Sequence, residues 1–247
     1  MTDKDDMLFS IVMPAYNEAD VIADTVRDLC GHLDGTDLSY ELIIVDDASR
    51  DATPAIITDL AGDFPTIRAL RNDGPNGYGY AIRRGLEIYR GDAAVVVTSD
   101  GSDAPKDVES YFRGIAEGFD CVFGDRFGGQ ATVTNYPPVK KAINRMANRV
   151  LSWLVGGGGY RDFTNGFKCY RREVIDEMSP LITGQFNITI EMSLKSVLAG
   201  RSFKVVPTDW RQRDAGQSSF KVLGQFRPYL ATLIYCLCRQ YLMHIKR

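Results

Sequence analysis

The sequence predicts an α/β protein, a single domain built on a doubly wound, mostly parallel sheet flanked by helices, and three observations carry that prediction. Short β-branched apolar runs alternate with helix-length amphipathic segments through the first half of the chain. That alternation is what right-handed crossovers between parallel strands require. The 247 residues, 45% hydrophobic and 25% charged, are enough for one full core.

The elements follow in order. "MLFSIVMP" (7–14) reads as a strand, "EADVIADTVRDLCGHL" (18–33) as a helix, "YELIIVDD" (40–47) as a strand and "DATPAIITDLAGDF" (51–64) as a helix. "TIRALRN" (66–72), a helix around "GYAIRRGLEIY" (79–89), "AAVVVTS" (93–99), a helix "KDVESYFRGIAEG" (106–118) and "FDCVFG" (119–124) continue the rhythm. It then breaks. A Gly- and Pro-rich loop (126–138) leads to an amphipathic helix "VKKAINRMANRVLSWLV" (139–155) and "GGGG" (156–159), the usual dress of mobile loops around a lid. A helix near 187–200, a strand "SFKVVP" (202–207), a polar loop "RQRDAGQSS" (211–219) and a last helix complete the chain, with domain 1–225 expected to carry the chemistry and 226–247 an amphipathic helix resting on the membrane interface or a partner subunit, or else packed on the core.

Composition narrows the partners. A net charge of −3 and a pI of about 5.5 give no global pull toward nucleic acid or anionic membrane, so phosphate recognition must be local. Five cysteines without a CxxC pair suggest reduced thiols in the cytoplasm, read first as small buried hydrophobes. The start "MTDKDDMLFS" lacks an apolar leader core, and the longest apolar run, Tyr229 to Cys238, is far short of the roughly 20 residues that cross a bilayer. A cytoplasmic protein is expected, with peripheral contact at the membrane face and oligomerisation both left open.

Ligands of open α/β sheets bind beyond the carboxyl ends of the strands. Those ends read "MPAYNE", "VDDAS", "RNDGPNG", "TSDGSD" and "FGDRF". If their strands are neighbours, Asp46, Asp47, Asp100 and Asp103 make a cluster of hard oxygens that suits Mg²⁺ or Mn²⁺. Strand-end aspartates also cap helices, and for Asp103 that reading comes first, whereas Asp100 reads first as a ligand. Gly77 and Gly79 at a helix start could turn N–H groups to an anion; a tight turn with Gly79 allowing close packing explains them equally well.

Together "IVMPAYNE", "IIVDDASRDAT", "GYGYAIRRG", "SDGSDAP" and "GDRF" resemble the inverting family 2 glycosyltransferases of GT-A fold. "DFTNGFKCYRREVI" (162–175) and "VPTDWRQRDAGQSSFK" (206–221) resemble the dolichol- and polyprenyl-phosphate hexosyltransferases among them. The resemblance implies that Pro14, Tyr16 and Glu18 hold the nucleoside, that Asp46 and Asp47 contact the base and the sugar diphosphate, and that Asp100 belongs to a D-x-D metal motif. Thr98 then stands where the first aspartate is expected, so the metal leans on Asp100, on Ser102 or Asp103, and on the diphosphate. Arg213 matches an arginine that meets the phosphates as its loop closes; Ser219 and Phe220 separate Ser218 from Lys221, which departs from the family pattern.

The expected partners are a nucleotide-sugar donor (GDP-mannose or UDP-glucose) and a polyprenyl-phosphate acceptor. An acceptor phosphate has a second pKa near ~6 and needs no base; a sugar hydroxyl needs one. Both histidines, His32 and His244, lie in helices away from the strand ends, which favours the phosphate. For a hydroxyl acceptor Glu191 is the candidate base, with a structural pairing to a nearby arginine as its plain alternative. Arg126, with Lys141, Arg145 and Arg149 along one helix face, is placed to hold the acceptor phosphate, although a basic face is often merely solvated. A nucleotidyltransferase would need a Gly-rich basic loop where "MPAYNEAD" stands, and a binding module without turnover is suggested only by Thr98.

Overall fold

The computed structural model describes residues 7–129, 131–134, 136–156, 158–211 and 222–245. Strand β1 (Leu8–Ala15) pairs in parallel with β2 (Ser39–Asp46), from Leu8 against Ser39 to Ala15 against Asp46. Both strands are buried almost throughout, as a central parallel strand covered on two faces must be. Strand β3 (Ile67–Arg71) adds to β2, and β4 (Ala93–Val96) to the other side of β1. Helices α1 (Ile22–Leu33), α2 (Thr53–Asp63) and α3 (Tyr78–Leu86) make the crossovers.

After α4 (Pro105–Ala116) and β5 (Cys121–Asp125) the plan changes. A two-residue strand β6 (Val133–Thr134) precedes α5 (Pro138–Leu154). Then β7 (Lys168–Arg171) enters the sheet antiparallel, between β4 and β5. Helices α6 (Arg172–Met178) and α7 (Ile188–Leu198) lead to β8 (Phe203–Pro207), which pairs in parallel with β5. Strand β9 (Trp210–Arg211) pairs with β6, and α8 (Val222–Ile245) closes the chain. The main sheet therefore runs β3-β2-β1-β4-β7-β5-β8, mixed but mostly parallel.

One core fills the space between the sheet and α1, α2 and α4, where Phe9 stacks on Phe112 at 4.4 Å. The other lies beneath α3, α6, α7 and α8. Helix α8 begins at Val222 rather than at Phe226, and it sends Leu233 and Cys236 into that second core. Four cysteines are buried, Cys238 is exposed, and none is paired. Among the described residues no helix is long and apolar enough to cross a membrane.

Two expectations about helix starts are corrected. Helix α1 begins at Ile22, not at Glu18, because the preceding residues are tied elsewhere: Asn17 N–H donates to Ser49 Oγ and Glu18 N–H to Thr53 Oγ1. Asp103 does not cap α4, whose N-cap is Ala104 without a side-chain bond; its carboxylate turns back to Thr98.

Candidate active site

At the carboxyl edge, β1 lies between β2 and β4, so the acidic residues of those two strands face the cleft from either side of the Pro14–Glu18 turn. On the β2 side Asp46 accepts the Ser49 N–H at 3.1 Å and the Arg71 guanidinium at 3.2 Å. Asp47 accepts Asn72 Nδ2 at 2.6 Å and the Gly77 N–H at 2.7 Å, while its carbonyl takes Asn76 Nδ2. Both side chains are buried, and they fasten the 72–77 loop to the end of β2. The turn after them holds Ala48 at φ 60°, a left-handed conformation that a non-glycine residue adopts only under local constraint. Pro14 is joined to the β4 side by its carbonyl, which accepts Ser99 Oγ, and Tyr16 is exposed at the rim.

On the β4 side the chain reverses at Gly101, whose φ of 72° suits glycine. The reversal brings "SD" back onto the strand end. Asp103 Oδ2 accepts both the main-chain N–H and the hydroxyl of Thr98 at 2.8 Å. Ser102 Oγ lies 2.9 Å from Thr98 Oγ1 and donates to Asp100 Oδ1 at 2.7 Å. The position of the missing carboxylate is thus backed by one supplied from five residues downstream. Removal from solvent pushes the Asp103 carboxyl up to about 7, against the pull of the Thr98 donors and with a further push from Asp100. Two carboxylates and a hydroxyl are hard oxygens, and a small divalent cation that shares its remaining positions with substrate phosphates fits such a set.

The third side is the end of β5. Arg126 forks onto Asp162, Nε to Oδ2 at 2.9 Å and Nη2 to Oδ1 at 2.8 Å, and its own N–H donates to the same carboxylate. Asp162 is fully buried, and its carboxylate keeps Arg126 charged beyond the ordinary guanidinium range although burial alone would act the other way. The network continues outward. Thr164 bonds to Arg126, Asn144 and Asn148, so α5 is hydrogen-bonded to the strand end it covers.

The sequence profile of glycosyl transferase family 2 matches residues 10–179, more than half of the chain and all three sides of this cleft. The chain belongs to glycosyl transferase family 2. This glycosyltransferase is 27% identical over 84% of its length to polyprenol monophosphomannose synthase of Mycolicibacterium smegmatis, and covers 79% of that protein. It is 29% identical over 87% of its length to dolichol-phosphate mannosyltransferase of Pyrococcus furiosus, of which it spans only 60%. Its GT-A fold superposes on glucosyl-3-phosphoglycerate synthase of Mycobacterium tuberculosis, solved with Mn²⁺, UDP and phosphoglyceric acid, with a TM-score of 0.71 at 22% identity, covering 94% of this chain and 79% of that one.

Several of the residues named from the glycosyltransferase's sequence take other roles in the structure. The four aspartates do not form one cluster, because β1 separates the pairs and the Asp46–Asp47 oxygens are bonded to Arg71, Asn72 and main-chain donors. Gly79 is no anion cradle: its N–H and that of Tyr80 donate to the Gly184 carbonyl, and a Cβ at Gly79 would stand 2.7 Å from Gly184 C. Glu191 is no base within reach of a substrate. It is 0% exposed, takes the Ile182 and Thr183 N–H groups and the Thr183 hydroxyl, and pairs with Lys195 at 2.6 Å, so its partner is a lysine and not an arginine. The Arg126 fork faces Asp162 and not the open cleft. Lys141 is half-buried, whereas Arg145 and Arg149 are exposed. Arg213, Ser218, Ser219 and Lys221 lie outside the described residues.

Other residues of the site lie within the quoted motifs, Asp162 and Lys168 in "DFTNGFKCYRREVI" and Tyr78 in "GYGYAIRRG", but no local pattern gives them a role. Asp162 lies 36 positions from Arg126, and only burial of the arginine demands it. Lys168 is buried beneath the same loop, donating to the carbonyls of Phe163 and Asn165. Tyr78 stacks on Phe186 at 4.7 Å; burial, then Asp103 and Asp100, push its hydroxyl well above the ordinary phenol value, which puts it beside the acidic turn. Its place at the start of α3 in a run of glycines hides it among turn residues.

Proposed function

We propose that this glycosyltransferase moves a hexose from a nucleotide-diphosphate sugar, GDP-mannose or UDP-glucose, to a polyprenyl or dolichyl phosphate with inversion. The observation that carries the reading is the burial of Glu191 under the Ile182–Thr183 turn: the residue that the sequence offers as base for a hydroxyl acceptor is sealed away from any substrate. An acceptor phosphate, ionised near neutral pH, needs no base. The two curated relatives that act on polyprenol or dolichol phosphates, by their names, support the same acceptor.

In this mechanism an acceptor phosphate oxygen attacks the anomeric carbon from the face opposite the leaving group. The bond from that carbon to the donor diphosphate breaks, and the nucleoside diphosphate leaves with the electron pair. Asp100, Ser102 and Asp103 would hold Mg²⁺ or Mn²⁺, which supplies positive charge where the leaving diphosphate gains negative charge. Pro14, Tyr16, Glu18, Asp46 and Asp47 shape the nucleoside side. Arg126 acts as a fixed charge at the acceptor end, with Lys141, Arg145 and Arg149 beside it. Arg213 is proposed to meet the donor phosphates. A lipid-borne acceptor places the working enzyme at a membrane surface.

The test offers GDP- and UDP-sugars with a short, water-soluble polyprenyl phosphate, the matching free alcohol and simple glycosides. Transfer to the phosphate alone is the expected result. Robust transfer to a glycoside that is lost in Glu191→Gln would replace this reading with a base-catalysed, glycan-extending one.

A further inference from the structure

Helix α5 turns an unusual pair of faces. Its two asparagines face the protein: Asn148 is fully buried and bonded to Thr164, and Asn144 is bonded to Tyr136 and Thr164. Leu151 packs inward against the second core, but the other large apolar residues face outward, with Val139 71%, Met146 65% and Trp153 80% exposed, and Ile143, Val150 and Leu154 exposed beside them. The spacing 139, 143, 146, 150, 153, 154 follows the helical repeat, so the six share one stripe along the whole element. A water-soluble monomer has no reason to arrange a helix in this way.

We infer that the outward stripe of α5 is a docking face for an anionic lipid surface, into which it inserts as an interfacial helix. Charge selects this occupant over another apolar protein face. The 17 residues of α5 include Lys140, Lys141, Arg145 and Arg149 and no acidic residue, although the whole chain is net negative. Arg145 and Arg149 are exposed along one border of the stripe. Cations bordering an apolar stripe, with a tryptophan at its end, form the pattern of a helix that lies in the head-group plane. The stripe is also tied to the acceptor end of the cleft through Asn148, Thr164 and Arg126, so docking would set the cleft's height above the lipid. The inference rests on the lipid-borne acceptor proposed above for its purpose, but not for its evidence.

The experiment is sedimentation of the full chain with vesicles of phosphatidylcholine alone or with 30% phosphatidylserine (roughly the range in which basic faces bind), neither containing polyprenyl phosphate. Binding to the anionic vesicles is expected, weaker in high salt. A triple variant, Met146→Ser with Val150→Ser and Trp153→Ser, should lower that binding at least about tenfold. Its melting temperature and its transfer to a soluble short-chain acceptor should stay unchanged. The matching variant of the second exposed stripe, Ile234→Ser with Tyr241→Ser and Ile245→Ser on α8, should bind vesicles better than the α5 variant does. Wild-type binding by the α5 variant, or a wild-type protein that ignores vesicles and buries the stripe in a dimer, would overturn the inference. Vesicle binding without transfer to any polyprenyl phosphate would sink the proposed acceptor and leave the docking face standing.

Discussion

Single residues hold the cleft in shape by pairing where charge cannot be left alone. Asp162 and Arg126 form a buried, bidentate pair, and removing one partner of such a pair typically costs about 3–5 kcal/mol because the other charge stays behind. Asp162→Asn keeps the shape and strands the arginine; a clear fall in melting temperature and a raised acceptor KM are expected, and a melt indistinguishable from wild type would show that the fork carries no weight. On the other side of the cleft Asp100→Asn should abolish metal-supported turnover with the fold intact, read by activity in Mn²⁺ alongside circular dichroism. Thr98→Asp separates the two roles of that turn. Where the hydroxyl donates to Asp103 Oδ2 there would be a second carboxylate, so the variant should melt lower in chelator and bind Mn²⁺ more tightly by titration calorimetry.

At the scale of elements, the segment 179–187 is a strap. Lys195 Nζ holds the Met178 and Pro180 carbonyls, Glu191 holds the Ile182 and Thr183 donors, and Gly184 is pressed on Gly79 at the start of α3. Glu191→Gln should therefore cost about 3–5 kcal/mol of stability, because Lys195 stays behind as a buried charge without its partner, while turnover per folded molecule is kept. Loss of turnover in a fully folded variant would restore the residue as a catalyst. The parallel elements were legible in the sequence because β1, β2 and β5 are apolar runs between turn residues and their helices are amphipathic. Strand β7 was not, since "KCYR" is four residues long with a cation at each end, and its buried Lys168 breaks the alternation on which a strand reading depends. In the site, the Gly101 reversal that gathers Asp100, Ser102 and Asp103 was legible from its turn residues. The partners of Arg126 and Glu191 were not, for local spacing says nothing of which distant group meets a buried charge.

Across the whole molecule, the antiparallel β7 joins β3, β2, β1 and β4 to β5 and β8, and the joint is sealed by a buried lysine. Burial pushes the Lys168 ammonium down to about 7, with Arg126 adding to the shift and Asp162 opposing it. In the unfolded chain the same group titrates near 10.5. Between those values the unfolded state holds a proton that the folded state has released, so stability must rise with pH across the window. This contribution is complete above the unfolded value and is lost as pH falls to about 7; one such proton is worth at most about 1.4 kcal/mol per pH unit. Buried tyrosines and cysteines, which must stay neutral, work against it as pH climbs past their unfolded values near 9 and 10. The clean range is therefore pH 7 to about 8.5. Lys168→Met keeps the length of the side chain and removes the titration, at the cost of leaving the Phe163 and Asn165 carbonyls without their donor. Thermal melts of both proteins across that range should show the wild type gaining on the variant with each step in pH. Parallel curves would mean that Lys168 keeps its proton on folding and that its two carbonyls, with Asp162, hold an ammonium ion throughout.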